Sequence, residues 1–127
     1  MQEDRSTIIN IDGTDYTLVL TNRATKAIAG RYGGIEQLGQ KLMKSENFEM
    51  ALDEVIWLIC LLANQGIQIH NLRNRDAPLP LVTEEELELL TSPGELPLFK
   101  GAIMEAMTRG IRRNIESEEQ PKNADAE

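Results

Sequence analysis

The sequence predicts an α+β fold that is mainly α, with an N-terminal β-hairpin packed on a small helical bundle around a buried central helix. Alternating apolar residues flank an Asp12-Gly13 pair, which is typical of a hairpin turn. The nine residues from Val55 to Ala63 are all apolar, and a helix that is apolar on every side has to be enclosed by other elements. We expect a single globular domain over residues 1–115.

The hairpin is predicted over residues 7–20. A two-residue loop determines which residues of the two strands face each other. The predicted cross-strand pairs are Ile11 with Thr14, Ile9 with Tyr16, and Thr7 with Leu18. The apolar members of these pairs share one face. Since an isolated pair of strands is only marginally stable, that face has to rest on helices or join strands of another chain.

Local signals predict two helices after the hairpin. Thr21 is an N-cap residue type and precedes a helix predicted over 22–32. The Gly33-Gly34 pair ends this helix. A second helix is predicted over 35–44, because its apolar residues recur at helical spacing.

The central helix is predicted over about 46–65. Ser45 and Asn47 are N-cap residue types, and acidic residues follow them, which suits the positive end of a helix dipole. Gly66 is predicted to end the helix as its C′ residue. The apolar run inside this helix is too short for a membrane span, which needs roughly 20 such residues.

The connection that follows is predicted to be extended, because Pro78 and Pro80 keep the backbone out of helix. Thr83 and Glu86 have the spacing of a capping box, in which each residue's side chain accepts a hydrogen bond from the other's backbone. A short helix is therefore predicted over about 84–90.

A second capping box, Ser92 with Glu95, leads into the last helix, predicted over about 97–115. The remaining residues, 116–127, contain five acids, one lysine, Pro121 and no large apolar residue. Such a segment buries too little apolar surface to fold, so we expect a disordered acidic tail.

The composition excludes several classes of protein. A net charge of −8 argues against general affinity for nucleic acid or for an anionic membrane, because both would repel the chain. The N-terminus lacks the charged segment followed by an apolar segment that is typical of a secretory signal. The single cysteine, Cys60, lies in the apolar run and fits a reducing compartment. We therefore expect a cytoplasmic protein with neither nucleic acid nor membrane as partner.

No residue pattern predicts catalysis, a metal site or a cofactor. His70 is the only histidine and is expected in a surface loop. Cys60 lacks the exposed, electropositive setting of a nucleophile. The acidic run 84–88 fits a solvated helix start better than a set of metal ligands, since adjacent helical residues point apart. We therefore expect a protein that is not an enzyme.

The last helix carries a wide apolar stripe, which we interpret as a partner-binding surface. Methionine side chains adapt to varied partners, and the stripe contains two of them. The predicted binding residues are Phe99, Ile103, Met104, Met107 and Ile111. A neighbouring basic cluster, Arg109 to Arg113, has two interpretations: contact with DNA or RNA, or the simpler role of complementing the helix dipole.

The first half of the chain resembles the tail assembly chaperones of long-tailed bacteriophages and prophages. The resemblance covers roughly residues 8 to 71 and is one of pattern: a hairpin, a helix that ends in Tyr-Gly, and an apolar helix that carries Trp57. Its segments are YTLVLTNR over 16–23, RYGG over 31–34, IEQL over 35–38 and LDEVIWL over 52–58. From residue 72 onward the chain departs from the family's pattern.

The resemblance implies a non-enzymatic protein in the cytoplasm of an infected or lysogenic bacterium. Members of this family bind the tape measure protein, keep its long helices soluble and help the tail tube protein assemble around it. They use no cofactor and often associate with copies of themselves. We therefore expect the tape measure protein and the tail tube protein as partners, together with a homo-oligomer.

Two other functions remain as alternatives. One is a structural virion component, such as a head-tail connector or a tail terminator, which would stay in the finished particle. The other is a small DNA-binding regulator that uses the basic cluster of the last helix, and it predicts salt-dependent binding to DNA.

Overall fold

The computed structural model describes residues 5–44 and 48–126, with side chains for 5–41 and 52–112. It confirms the predicted fold class: a two-stranded antiparallel hairpin packs on helices around one apolar core. The elements are β1 (Ser6–Ile11), β2 (Thr14–Val19), α1 (Asn22–Tyr32), α2 (Ile35–Lys44), α3 (Phe48–Arg73), α4 (Glu84–Leu90), a 3₁₀ turn (Pro93–Glu95) and α5 (Leu96–Ala126).

The hairpin has the predicted register. Asp12 and Gly13 form the turn with positive φ angles of 52° and 87°, which the short Asp side chain and glycine tolerate. Asn10 steadies the turn, since its side chain accepts from the Gly13 N–H at 3.1 Å and donates to Asp15 at 2.9 Å. The predicted pairs Ile11 with Thr14, Ile9 with Tyr16 and Thr7 with Leu18 are all observed.

The predicted bounds of α1 and α2 are confirmed. The Thr21 hydroxyl accepts from the Ala24 N–H at 3.0 Å, as expected of an N-cap, and it also donates to Gln65 on α3. Gly33 closes α1 in the left-handed conformation, with φ 97°. The cap at Thr21 therefore begins a helix and also joins it to the core helix.

Helix α3 runs beyond its predicted end, to Arg73, and the prediction that Gly66 terminates it is wrong. The helix passes close against β2 at this point, and a Cβ on residue 66 would collide with the Thr17 carbonyl oxygen. Gly66 therefore permits a close approach of helix and strand. The predicted start at residue 46 lies outside the described residues.

The apolar run of α3 lies at the centre of the core. Val55, Leu58, Ile59 and Leu62 are fully or almost fully buried among the hairpin, α4 and α5. By length and composition alone the segment Leu52–Arg73 would also suit a membrane span, with a mean hydropathy of 1.3. Core helices meet the same criterion, and here the buried side chains pack against the protein itself.

Helix α4 has its predicted bounds and capping box: the Glu86 N–H donates to the Thr83 hydroxyl at 3.1 Å, and the Thr83 N–H donates to Glu86 at 2.9 Å. In the second capping box, the Ser92 N–H donates to the Glu95 carboxylate at 2.8 Å. It begins a 3₁₀ turn that runs directly into α5 at Leu96, one residue before the predicted start.

Helix α5 continues to Ala126, so residues 116–126 are helical where the sequence predicts a disordered tail. Extending a helix that is already formed costs little, because only the first turn carries the nucleation cost. Glu, Gln, Lys and Ala, which make up much of this segment, are also good helix formers, and they offset part of the cost of Pro121, which cannot donate an intrahelical hydrogen bond.

The packed part of α5 is anchored to the hairpin. The Arg109 guanidinium donates to the Ser6 carbonyl oxygen at 2.9 Å and forms an ion pair with Glu105 at 2.6 Å. Gly110 lies so close to Leu20 that a Cβ there would come within 2.8 Å of the Leu20 side chain. The last helix thereby closes the core against both strands.

Candidate binding surface

Most of the stripe predicted to bind a partner on α5 is part of the core. Phe99, Ile103 and Met107 are 2%, 0% and 3% exposed, so their side chains contact this chain and are not accessible to a partner. Their assignment as binding residues is wrong for the folded protein. Met104 is half-buried, and Ile111 is 39% exposed.

The exposed apolar side chains lie mainly elsewhere. Three exposed leucines, Leu79, Leu81 and Leu90, line one cleft of about 420 Å³. We call it the leucine cleft. Other large apolar residues with substantial exposure in the described part of the chain are Ile8, Leu72, Leu89 and Leu98.

Four elements build the leucine cleft. Strand β2 contributes residues 14–17, and the second half of α3 contributes Gly66, Ile67 and His70. The extended connection 79–82, which we call the strap, forms another wall, and α4 contributes the rest. Leu87 of α4 lines the cleft as a buried residue.

Two asparagines of α3 hold the strap in place. Asn64 accepts from the Val82 N–H at 2.8 Å and donates to the Val82 carbonyl at 2.9 Å. Asn71 makes the same pair of hydrogen bonds to Leu79, at 2.7 and 2.9 Å. Because residues seven apart lie on one face of a helix, the two side chains act as successive clamps along the strap.

Cys60 lies beneath the strap. Its thiol donates to the Val82 carbonyl at 3.4 Å and accepts from Asn64 at 3.6 Å. Burial raises the pKa of the Cys60 thiol above its ordinary value, and the nearby Glu84 carboxylate raises this pKa further. A neutral, half-buried thiol is a poor nucleophile, so its contacts suit a packing role.

His70 lies in the last turn of α3, not in the predicted surface loop. Its Nε2 atom is 3.4 Å from the Ala77 carbonyl oxygen, and its Nδ1 atom is 3.3 Å from the Asn74 side-chain amide. Within the part of the chain that the structure describes, no three of the residue types His, Cys, Asp and Glu are grouped so that they could hold a metal ion.

An ionic and aromatic cluster joins α1 and α2 to α3. The Arg31 guanidinium lies 4.4 Å from the centre of the Trp57 ring, and Tyr32 meets Trp57 edge to face at 6.0 Å. Glu54 accepts from the Tyr32 hydroxyl and pairs with Arg31 at 3.5 Å and Lys41 at 3.9 Å. Trp57 therefore stabilises helix packing.

The basic cluster of α5 is partly engaged within the protein. Arg109 is bound to Ser6 and Glu105, as described above. Arg112 is exposed, and the side chain of Arg113 lies outside the described residues. The observed contacts of Arg109 thus disfavour its use in binding DNA.

The leucine cleft contains two acidic residues. Asp15 of β2 and Glu86 of α4 line it, and both are exposed. His70 is the one basic residue type among the described residues that line the cleft. The cleft therefore combines apolar walls with two carboxylates.

The sequence did not predict this cleft, because its walls come from segments that are far apart along the chain. Pro78 and Pro80 predict an extended connection, but the exposure of Leu79 and Leu81 depends on where that connection lies. The spacing of Asn64 and Asn71 on one helical face was the available signal. It gains meaning only once their partners on the strap are known.

The chain has no match among protein-family models, curated proteins or solved structures.

Proposed function

We propose that the protein is a non-enzymatic tail assembly chaperone of a long-tailed bacteriophage or prophage. In this role it binds the tape measure protein in the bacterial cytoplasm, keeps it soluble and assists assembly of the tail tube. The observation that carries the proposal is the leucine cleft, in which an acidic protein holds exposed leucines in a preformed site.

Charge and apolar surface have complementary uses in such a protein. A net charge of −8 favours solubility, which a chaperone needs while it holds an aggregation-prone client. Apolar residues gathered in a concave site offer a partner a place to bury its own apolar side chains. Leu79, Leu81 and Leu90 supply such surface without being needed to fill the core.

The order of elements adds support. A hairpin, two short helices and a long apolar helix follow one another over residues 6–73, and this segment contains the region that resembles the tail assembly chaperones. Trp57 and the Tyr32-Gly33 helix end, two marks of that resemblance, lie together where α1 meets α3.

Co-expression with the tape measure protein of the same genome tests the proposal. We expect a complex that survives affinity purification and size exclusion, and a larger soluble fraction of the tape measure protein than without the chaperone. The proposal would be contradicted if the chain is well folded but neither binds the tape measure protein nor raises the solubility of the tape measure protein.

Mass spectrometry of purified particles separates the chaperone from a structural virion component. A chaperone acts during assembly and is expected to be absent from finished particles. Its presence there in stoichiometric amounts would favour the connector or terminator instead.

A further inference from the structure

We propose that the leucine cleft binds an amphipathic helix that carries apolar residues on one face and lysine or arginine beside them. The inference deepens the proposed function, on which it rests for the idea of a helical client. It moves the binding site from the α5 stripe to the cleft between the strap, α4, β2 and α3.

The shape of the cleft suits the side chains of a helix. Its volume of about 420 Å³ has room for several side chains but not for a whole helix, whose diameter is about 10–12 Å. A helix lying across it would insert residues spaced i, i+3 or i+4, and i+7. Leu79 and Leu81 on one wall and Leu90 on another would contact that row.

The charges around the cleft select the partner. Asp15 and Glu86 at the lining attract cationic side chains that flank an apolar row. A second copy of this chain carries −8 itself, so long-range repulsion opposes it as the occupant. The complementary partner is therefore a basic amphipathic helix.

The strap is preorganised for this role. Asn64 and Asn71 fix its backbone at Val82 and Leu79. Pro80 lies between the two leucines, and its ring fixes the φ angle there. A wall that is already ordered loses little conformational entropy when a partner docks, which favours affinity. The backbone that carries Leu79 and Leu81 is thus held in place before binding.

A designed peptide tests the cleft directly. The probe is a fluorescein-labelled helix of about five turns with leucines along one face and lysines on the other, and its counterpart has glutamate in place of lysine. Fluorescence anisotropy with the full chain measures both. We expect the lysine peptide to bind and the glutamate peptide to bind at least about tenfold more weakly.

Matched variants locate the binding. The double variant Leu79→Ser with Leu81→Ser is expected to lose about tenfold or more in affinity for the lysine peptide, because it removes one apolar wall. The control, Leu72→Ser with Leu98→Ser, changes two leucines that are more exposed but do not line the cleft, and it should bind as the parent does. Circular dichroism establishes that all variants are folded.

The inference is overturned by equal affinity of the cleft variant and the parent, by an equal loss in the control, or by no preference for the lysine peptide. Light scattering measures whether the parent forms a dimer that the cleft variant does not form. Such a dimer would identify a second copy as the occupant and would also overturn the inference.

If the tape measure protein binds the parent and the cleft variant equally, this inference fails while the proposed function stands. If the lysine peptide binds in the cleft but the tape measure protein does not bind, the reverse holds.

Discussion

Two helix glycines show how surroundings decide the effect of one methyl group. Gly66 faces the Thr17 carbonyl so closely that a Cβ would collide with it, whereas a Cβ at Gly101 of α5 would meet no atom within 4 Å. Both lie inside helices, where alanine is intrinsically better than glycine. The same substitution should therefore have opposite effects at the two sites.

We expect Gly66→Ala to lower the free energy of unfolding by about 1–3 kcal/mol, because overpacking against β2 outweighs the gain in helix propensity. Gly101→Ala, the matched control, should raise it by about 0.5–1 kcal/mol. Urea unfolding followed by circular dichroism measures both. Equal stabilisation of the two variants would mean that α3 does not approach β2 as closely as described.

Cys60 offers a second test at the scale of single residues. Because burial and then Glu84 raise its pKa, the folded protein should react with iodoacetamide more slowly than the urea-unfolded chain at the same mildly alkaline pH. The unfolded chain releases the thiol proton at a lower pH than the folded one, so stability should fall as the pH rises through the ordinary thiol range. Cys60→Ala should lack both effects. Equal alkylation rates in the two states would contradict the buried setting.

Among the elements, the strap depends on α3 for its position. Asn71→Ala removes both hydrogen bonds to Leu79, and we expect a loss of stability of about 1 kcal/mol with faster hydrogen exchange at the Leu79 amide. Asn64→Asp keeps the acceptor for the Val82 N–H but sets a carboxylate oxygen against the Val82 carbonyl, so it should also release the strap. The exposed Gln40→Ala on α2 serves as the control. Unchanged exchange at both strap amides would show that the clamps do not hold it.

The elements also show how far the sequence predicts this structure. The hairpin register, the ends of α1 and the capping box of α4 follow from nearest neighbours along the chain, and all are observed. Gly66 misled the prediction of where α3 ends, since a glycine that ends a helix and one that admits a neighbouring strand look alike in sequence. The strap was predicted to be extended, but its clamps are long-range contacts that no local pattern specifies.

At the scale of the whole molecule, the decisive question is which apolar residues the core uses. A stripe of about half a helix circumference fits a binding surface or a helix with several neighbours. Here α5 contacts both strands and α3, so most of the stripe packs into the core, and the leucine cleft is one place where exposed apolar residues are gathered. The sequence predicts the stripe, but its use depends on how many elements surround α5.

Substitutions in the former candidate site should therefore separate stability from binding. Met107 is 3% exposed and Ile111 is 39% exposed, although both belong to the same predicted stripe. Met107→Ser should lower the free energy of unfolding by about 2–5 kcal/mol, since it removes buried apolar volume and introduces a hydroxyl into the core. Ile111→Ser should change it by less than about 1 kcal/mol.

In both variants, the molecules that are folded should bind the lysine peptide as tightly as the parent does, because neither residue lines the leucine cleft. Thermal unfolding and anisotropy, measured on the same samples, give both quantities. A large loss of affinity in a fully folded Ile111→Ser variant would return the binding site to α5. An unchanged affinity, together with the loss caused by the Leu79 and Leu81 substitutions, would place binding and core packing on separate surfaces of the molecule.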